Sequence, residues 1–184
     1  MFHNQRFAFS AEALEDFAAL PSSAGTHMAF QLGPPPVGLG QSCSDSPYSS
    51  PDVPMTQLPG GFGAIDSQLS SATSSVILPL FMEGVLKGAT DYAKAQSTSQ
   101  GMQTSVVVIT DWTNQSTESC QKASQGVTAA ALASEPYVLT WFVTMTGSSQ
   151  DSLNQEALAG GTGAPIAGTN KATVLSALTR ASSR

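Results

Sequence analysis

Residues that could do chemistry are sparse in this chain, and the most suggestive pair is Thr110-Asp111, closing the stretch TSVVVITDW at 104–112. Val106, Val107, Val108 and Ile109 form an unbroken β-branched run that stops at a polar turn. This pattern predicts a strand buried on both faces, in the middle of a parallel sheet. Loops beyond the carboxyl ends of such strands carry ligands, so a hydroxyl and a carboxylate are expected at the working edge. The plainer role of Asp111 is to accept backbone hydrogen bonds in the turn. Other candidates are thinner. His3 and His27 are the only histidines, and His27 falls in a strand pattern as a structural residue. With no His or Cys cluster at ligand spacing, no zinc site is expected. Ser-His-Asp chemistry is open on spacing, but no Gly-x-Ser-x-Gly elbow occurs. GGTG at 160–163 lacks the lysine of a phosphate loop and reads as a helix stop. Cys43 and Cys120 allow one bridge or two thiols. Asn114-Gln115-Ser116 fits a glycosylation acceptor.

The 184 residues suit a single domain, 1–184, and 41% apolar content supports an ordinary core. Only 11% of residues are charged, with seven basic against 13 acidic and a net charge of -6. No basic cluster occurs, so nucleic acid is not an expected partner. The longest apolar runs fall short of the ~20 residues a transmembrane helix needs. The start, MFHNQRFAFS, lacks the pattern of a secretory signal. Either the protein is cytoplasmic or Met1 is not the first residue of the natural product.

Several elements can be placed from pattern. Ser10 is expected to cap a helix, with Phe9 and Leu14 as a staple, a buried stripe of Ala13, Leu14, Phe17 and Leu20, and Pro21 past its end. Residues 26–32 alternate as a strand. The Gly-, Pro- and Ser-rich segment 33–52 is a long loop. A short strand follows at 53–58, which Pro54 consigns to a sheet edge, and then a weak helix at 64–71. A helix over 78–95 should bury Phe81, Met82, Val85, Leu86, Ala89 and Ala93. Ser116 or Thr117 should cap a helix to about Ser134, whose small residues Ala129, Ala130, Ala131 and Ala133 allow close packing on a sheet. YVLTWFVTM (137–145) is a second buried strand, with Leu139, Trp141 and Val143 opposite Val138 and Phe142. Asp151 is expected to cap a short helix ending at Gly160. A brief strand at 165–167 and a helix from Asn170 to about Ala181 complete the pattern. Alternation of strand and helix from Thr104 onward predicts a doubly wound, mostly parallel α/β sheet with helices on both faces.

SVVVITDW, the cysteine at 120, and YVLTWFVTMTGSSQDSLNQEALAGGTGAPI together resemble the second half of a von Willebrand factor type A domain. Upstream, CSDSPYSSPDVPMTQLP (43–59) and PLFMEGVLKGATDYAKA (79–95) are similar to the same family's exported bacterial members. The resemblance implies a metal-ion-dependent adhesion site: an Asp-x-Ser-x-Ser motif after the first strand, a loop Thr, and the Asp of a Thr-Asp-Gly turn, all oxygen ligands for magnesium or calcium. This chain departs from that pattern. No Asp has Ser at both the second and fourth following positions. The loop Thr position falls on Val76, with Ser74 and Ser75 displaced beside it. Only Thr110 and Asp111 match, and the next Gly is Trp112. A hard dication gathers six or more oxygens, so the two are expected to be remnants of a metal site.

The family's first strand would lie beside 104–110 in mid-sheet, and this chain begins too late to contain it. Residues 5–9 could substitute, since Phe7 and Phe9 alternate; otherwise 104–110 becomes an open edge through which copies could self-associate. The same topology brings the loops of Cys43 and Cys120 to one sheet edge, where a disulfide would close a loop of roughly eighty residues and stabilise the fold by about 4 kcal/mol in the chain-entropy model. The favoured expectation is a non-enzymatic protein-binding or adhesion module, extracellular, at the cell surface or periplasmic, without a cofactor. It would recognise a protein partner through Tyr48, Asp111, Trp112, Asn114 and Thr146. The alternatives are the C-terminal part of a magnesium- or calcium-dependent adhesion protein whose start was misplaced, and a small α/β enzyme or nucleotide binder.

Overall fold

The computed structural model describes residues 2–32, 48–71, 82–110, 118–145 and 150–183, with side chains described from Arg6 onward and not at 118–123 or 150–152. Helix α1 runs from Phe2 to Ala19. Ser10 lies in its interior, where Oγ donates to the carbonyl of Arg6 at 2.8 Å. The expected cap at Ser10 and the substitute strand at 5–9 are both replaced by helix. Residues 2–9 contain no Gly or Pro to stop a helix, and a mid-helix serine satisfies its hydroxyl by bonding one turn back. The inward stripe is Ala13, Leu14, Phe17 and Ala18, whereas Leu20 lies past the helix and only flanks the core.

A short 3-10 turn at Pro21–Ser23 leads to β1, His27–Phe30, which pairs antiparallel with β2, Val53–Gln57. Helix α2 spans Phe62–Ser71 and α3 spans Met82–Gln100. The buried positions of α3 include Met82, Leu86, Thr90, Ala93 and Ser97, while Val85 and Ala89 are half-buried. Gly88 lets α3 approach closely: a Cβ there would run into the carbonyl of Tyr48. Then come β3 (Ser105–Thr110), α4 (Glu118–Ala133), β4 (Leu139–Thr144), α5 (Gln150–Ala159), β5 (Ile166–Ala167) and α6 (Lys171–Ser182). Asp151 therefore falls inside the first turn of α5 rather than capping it. Asn170 caps α6, accepting from Thr173 N–H at 3.0 Å, and its own N–H is met by the Thr173 hydroxyl at 3.2 Å.

The fold is mixed α/β, with a parallel sheet of order β3-β4-β5 and a separate antiparallel pair, β1-β2. Strand β4 is buried along its whole length, and its two faces support different cores. Leu139, Trp141 and Val143 meet Val174, Ala177, Leu178 and Ala181 of α6 and the inward side of α1. Phe142 meets Met82, Leu86, Leu153 and Ala157, and Val138 meets Ala93 and Ala131. At roughly 1.5–3 kcal/mol for each large apolar side chain removed from water, these two layers are the chief stabilisation of the sheet.

Two expectations are corrected here. The 104–110 strand is half-buried throughout where burial on both faces was expected, and among the described residues β3 pairs only with β4. Among the described residues β4 alone has a paired strand on each side. On α4, Ala129, Ala130 and Ala133 face solvent, and the buried positions are Ser124, Thr128 and Ala131. The close-packed face of α4 is set by α3 and α5, which enclose it, so its inward stripe follows the 3.6-residue period through those three positions.

Candidate functional site

Equal register brings the ends of β3 and β4 to one edge: Ser105 pairs with Leu139 and Thr110 with Thr144. Beyond the last pair the ladder continues, with Met145 N–H donating to Thr110 C=O at 2.8 Å and Gly168 N–H donating to Thr144 C=O at 2.8 Å. The carboxyl ends of β3, β4 and β5 therefore lie side by side at one edge. Thr110 stands at that edge, half-buried. Asp111, Trp112, Asn114, Thr146 and Cys43 lie outside the described residues, as do the loop positions Ser74, Ser75 and Val76 and the expected cap residues Ser116 and Thr117. Cys120 lies in α4, with its side chain outside the described set.

Tyr48, expected as a contact residue, is only 5% exposed. Its backbone rests on Gly88 of α3, and burial raises the pKa of its phenol. Its side chain is therefore not presented on the surface. GGTG spends its backbone on the chain itself. Gly160, Gly161 and Thr162 N–H groups donate to Glu156, Leu158 and Ala157 carbonyls at 2.9, 3.1 and 3.0 Å. Gly161 takes φ +80°, which favours glycine at a helix stop. Those amides are not free to cradle a phosphate. Among the described residues no group of three or more His, Cys, Asp or Glu side chains is placed to hold a metal ion.

One polar feature was missed at the sequence level. Glu156 of α5 is completely buried between α4 and β4. Its Oε1 accepts a hydrogen bond from Ser124 Oγ, while Oε2 has no partner among the described residues. Burial raises its pKa, against a smaller lowering from the Ser124 hydroxyl. The available signal was positional: Leu153, Glu156 and Ala157 follow a helical i, i+3, i+4 stripe, which puts a carboxyl on the apolar face of α5. A second buried polar contact joins Ser97 and Thr104 hydroxyls at 2.7 Å, with Thr104 Oγ1 also donating to Ala93 C=O at 3.0 Å. It ties the end of α3 to the start of β3.

No family model, no curated protein and no solved structure matches the chain. No helix among the described residues is long and apolar enough to cross a membrane.

Proposed function

We propose that this chain is a non-enzymatic protein-binding module acting outside the cytoplasm, a degenerate relative of the type A domain with a doubly wound frame and no working metal site. Recognition uses the loops at the carboxyl edge of the parallel sheet, with Asp111, Trp112, Asn114 and Thr146 as contact residues and Thr110 at their base. The observation that supports this reading is the level ending of β3 and β4, Thr110 against Thr144, at one edge of the parallel sheet. Binding sites in open parallel sheets form at that edge. Tyr48, buried with its backbone against Gly88 of α3, is left out of the contact set.

The test is selection of binders from a random displayed-peptide library, followed by affinity measurement on the Asp111→Ala, Trp112→Ala, Asn114→Ala and Thr146→Ala variants. Selected peptides should lose affinity by about tenfold or more on at least two of them, the loss expected when a central contact is truncated. Peptides indifferent to all four would refute the assignment of the edge. Calorimetric titration with magnesium and calcium tests the metal-free part: micromolar binding abolished by Asp111→Ala would overturn it.

A further inference from the structure

We propose that α5 is a proton-controlled flap: Glu156 latches it onto α4 while protonated, and ionisation frees it to swing away about its carboxyl end at Gly160-Gly161. A helix of ten residues has too few turns to hold itself in water, so α5 keeps its shape by docking. Its described inward face consists of Leu153, Glu156 and Ala157. One of those three side chains is a carboxyl with 0% exposure. Its Oε1 accepts from Ser124 Oγ of α4, and Oε2 has no partner among the described residues. A neutral carboxyl tolerates one unmet oxygen in an apolar layer far better than a carboxylate does. Burial raises the pKa of the docked carboxyl, whereas an undocked α5 returns it to water, so rising pH favours the open form.

The place where the chain gives way follows from its bonds. At the carboxyl end of α5, Thr140 N–H donates to Gly160 C=O at 3.0 Å and Thr162 Oγ1 donates to Thr140 C=O at 2.8 Å, while Gly161 turns the chain at φ +80°. That end is pinned to β4. The described polar links from the body of α5 to α4 are weaker: Ser124 to Glu156, Gln125 Nε2 to Gln155 Oε1 at 3.1 Å on the surface, and Thr128 Oγ1 to Glu156 C=O at 3.5 Å. Swinging α5 outward leaves the β3-β4-β5 ladder intact, which makes it a smaller event than unfolding. It uncovers Phe142, Met82 and Leu86, the residues that Leu153 and Ala157 cover. The described side chains of β4, of α4 from Ser124 and of α5 from Leu153 include no titratable or charged group besides Glu156. Helix α3, which meets α5 through Met82 and Leu86, carries Glu83, Lys87, Asp91 and Lys94, of which Lys87 and Asp91 pair with each other at 2.6 Å. Glu118, Lys122 and Asp151 have side chains outside the described set. The flap is independent of the loop surface proposed above.

The test is amide hydrogen exchange of the whole chain, followed by NMR from pH 4 to 8, with the isolated 150–159 peptide supplying unprotected rates at each pH. Between pH 4 and 7 the open fraction read at the Glu156, Ala157 and Leu158 amides should rise by at least about tenfold. Urea below the unfolding transition should leave it nearly unchanged, since a local opening exposes little surface. The Ala177 and Leu178 amides of α6 should stay more protected and respond to urea. In Glu156→Gln the rise with pH at the α5 amides should vanish. An open fraction of α5 that does not rise with pH would overturn the proposal. So would protection and urea response equal to those of α6, because α5 would then leave only when the whole chain unfolds. A rise that persists in Glu156→Gln would remove Glu156 as the latch. The first two readings need only the wild type, so they decide the proposal even where the variant does not fold.

Discussion

Replacing Glu156 by glutamine should remove a pH-dependent weakness from the fold. The carboxyl is fully buried, with one oxygen bonded by Ser124 and the other without a partner among the described residues. Burial penalises the charged form, so the pKa in the folded chain lies above the ordinary value of 4.5. A raised folded pKa means that the unfolded chain releases its proton first. The contribution of Glu156 to stability is therefore complete below about pH 4.5 and is lost as the pH rises through the folded pKa. Within that window the wild type should lose about 1.4 kcal/mol per pH unit relative to a variant that cannot ionise. For a chain of this size that corresponds to roughly 3–6 °C in Tm per pH unit. Glutamine keeps the shape of the side chain and an acceptor for Ser124, so the two proteins should be close in stability at pH 4. The assay is thermal unfolding of wild type and Glu156→Gln at pH 4, 5, 6, 7 and 8, with the difference in Tm plotted against pH. A flat difference, or one that grows toward acid, would refute the argument that desolvation governs this carboxyl.

Gly88→Ala should destabilise the fold by about 1–3 kcal/mol, the usual cost of overpacking, because the added methyl meets the Tyr48 backbone; urea unfolding measures it, and an unchanged midpoint would show that the contact yields freely. Asn170→Ala removes the side-chain bond of the α6 cap to Thr173 N–H and should cost about 1 kcal/mol, again read from the urea midpoint. Thr104→Val leaves the Ser97 hydroxyl without its buried partner and should cost about 1–3 kcal/mol, with faster amide exchange at the start of β3. Thiol titration in denaturant without reductant should find no free thiol if Cys43 and Cys120 are bridged; two titratable thiols would remove the proposed disulfide.

The strongest patterns in the chain were legible because each had a local cause. Strand β4 is encoded by opposite-facing apolar residues, Trp141 on one side and Phe142 on the other. The α6 boundary is encoded by Asn170, and the stop of α5 by Gly160-Gly161. Ser10 misled because a serine that can cap a helix can equally sit inside one by bonding back to Arg6. Of the expected site residues, Thr110, read as a metal-site remnant, stands at the end of β3, and Tyr48, read as a contact residue, is buried, a distinction that local pattern does not carry.

By itself the sequence determined the type and order of the elements from β1 onward, since hydrophobic period, caps and turn residues act over a few positions. Tertiary structure alone decided which strand is central. The apolar run of β3 and that of β4 carry the same signal, yet among the described residues only β4 has a paired strand on each side. Strand neighbours are set by backbone bonds between distant segments, and side-chain period contains no record of those bonds. The same holds for Glu156, whose helix face was readable but whose enclosure by Ser124 and β4 depends on how α4 and α5 pack.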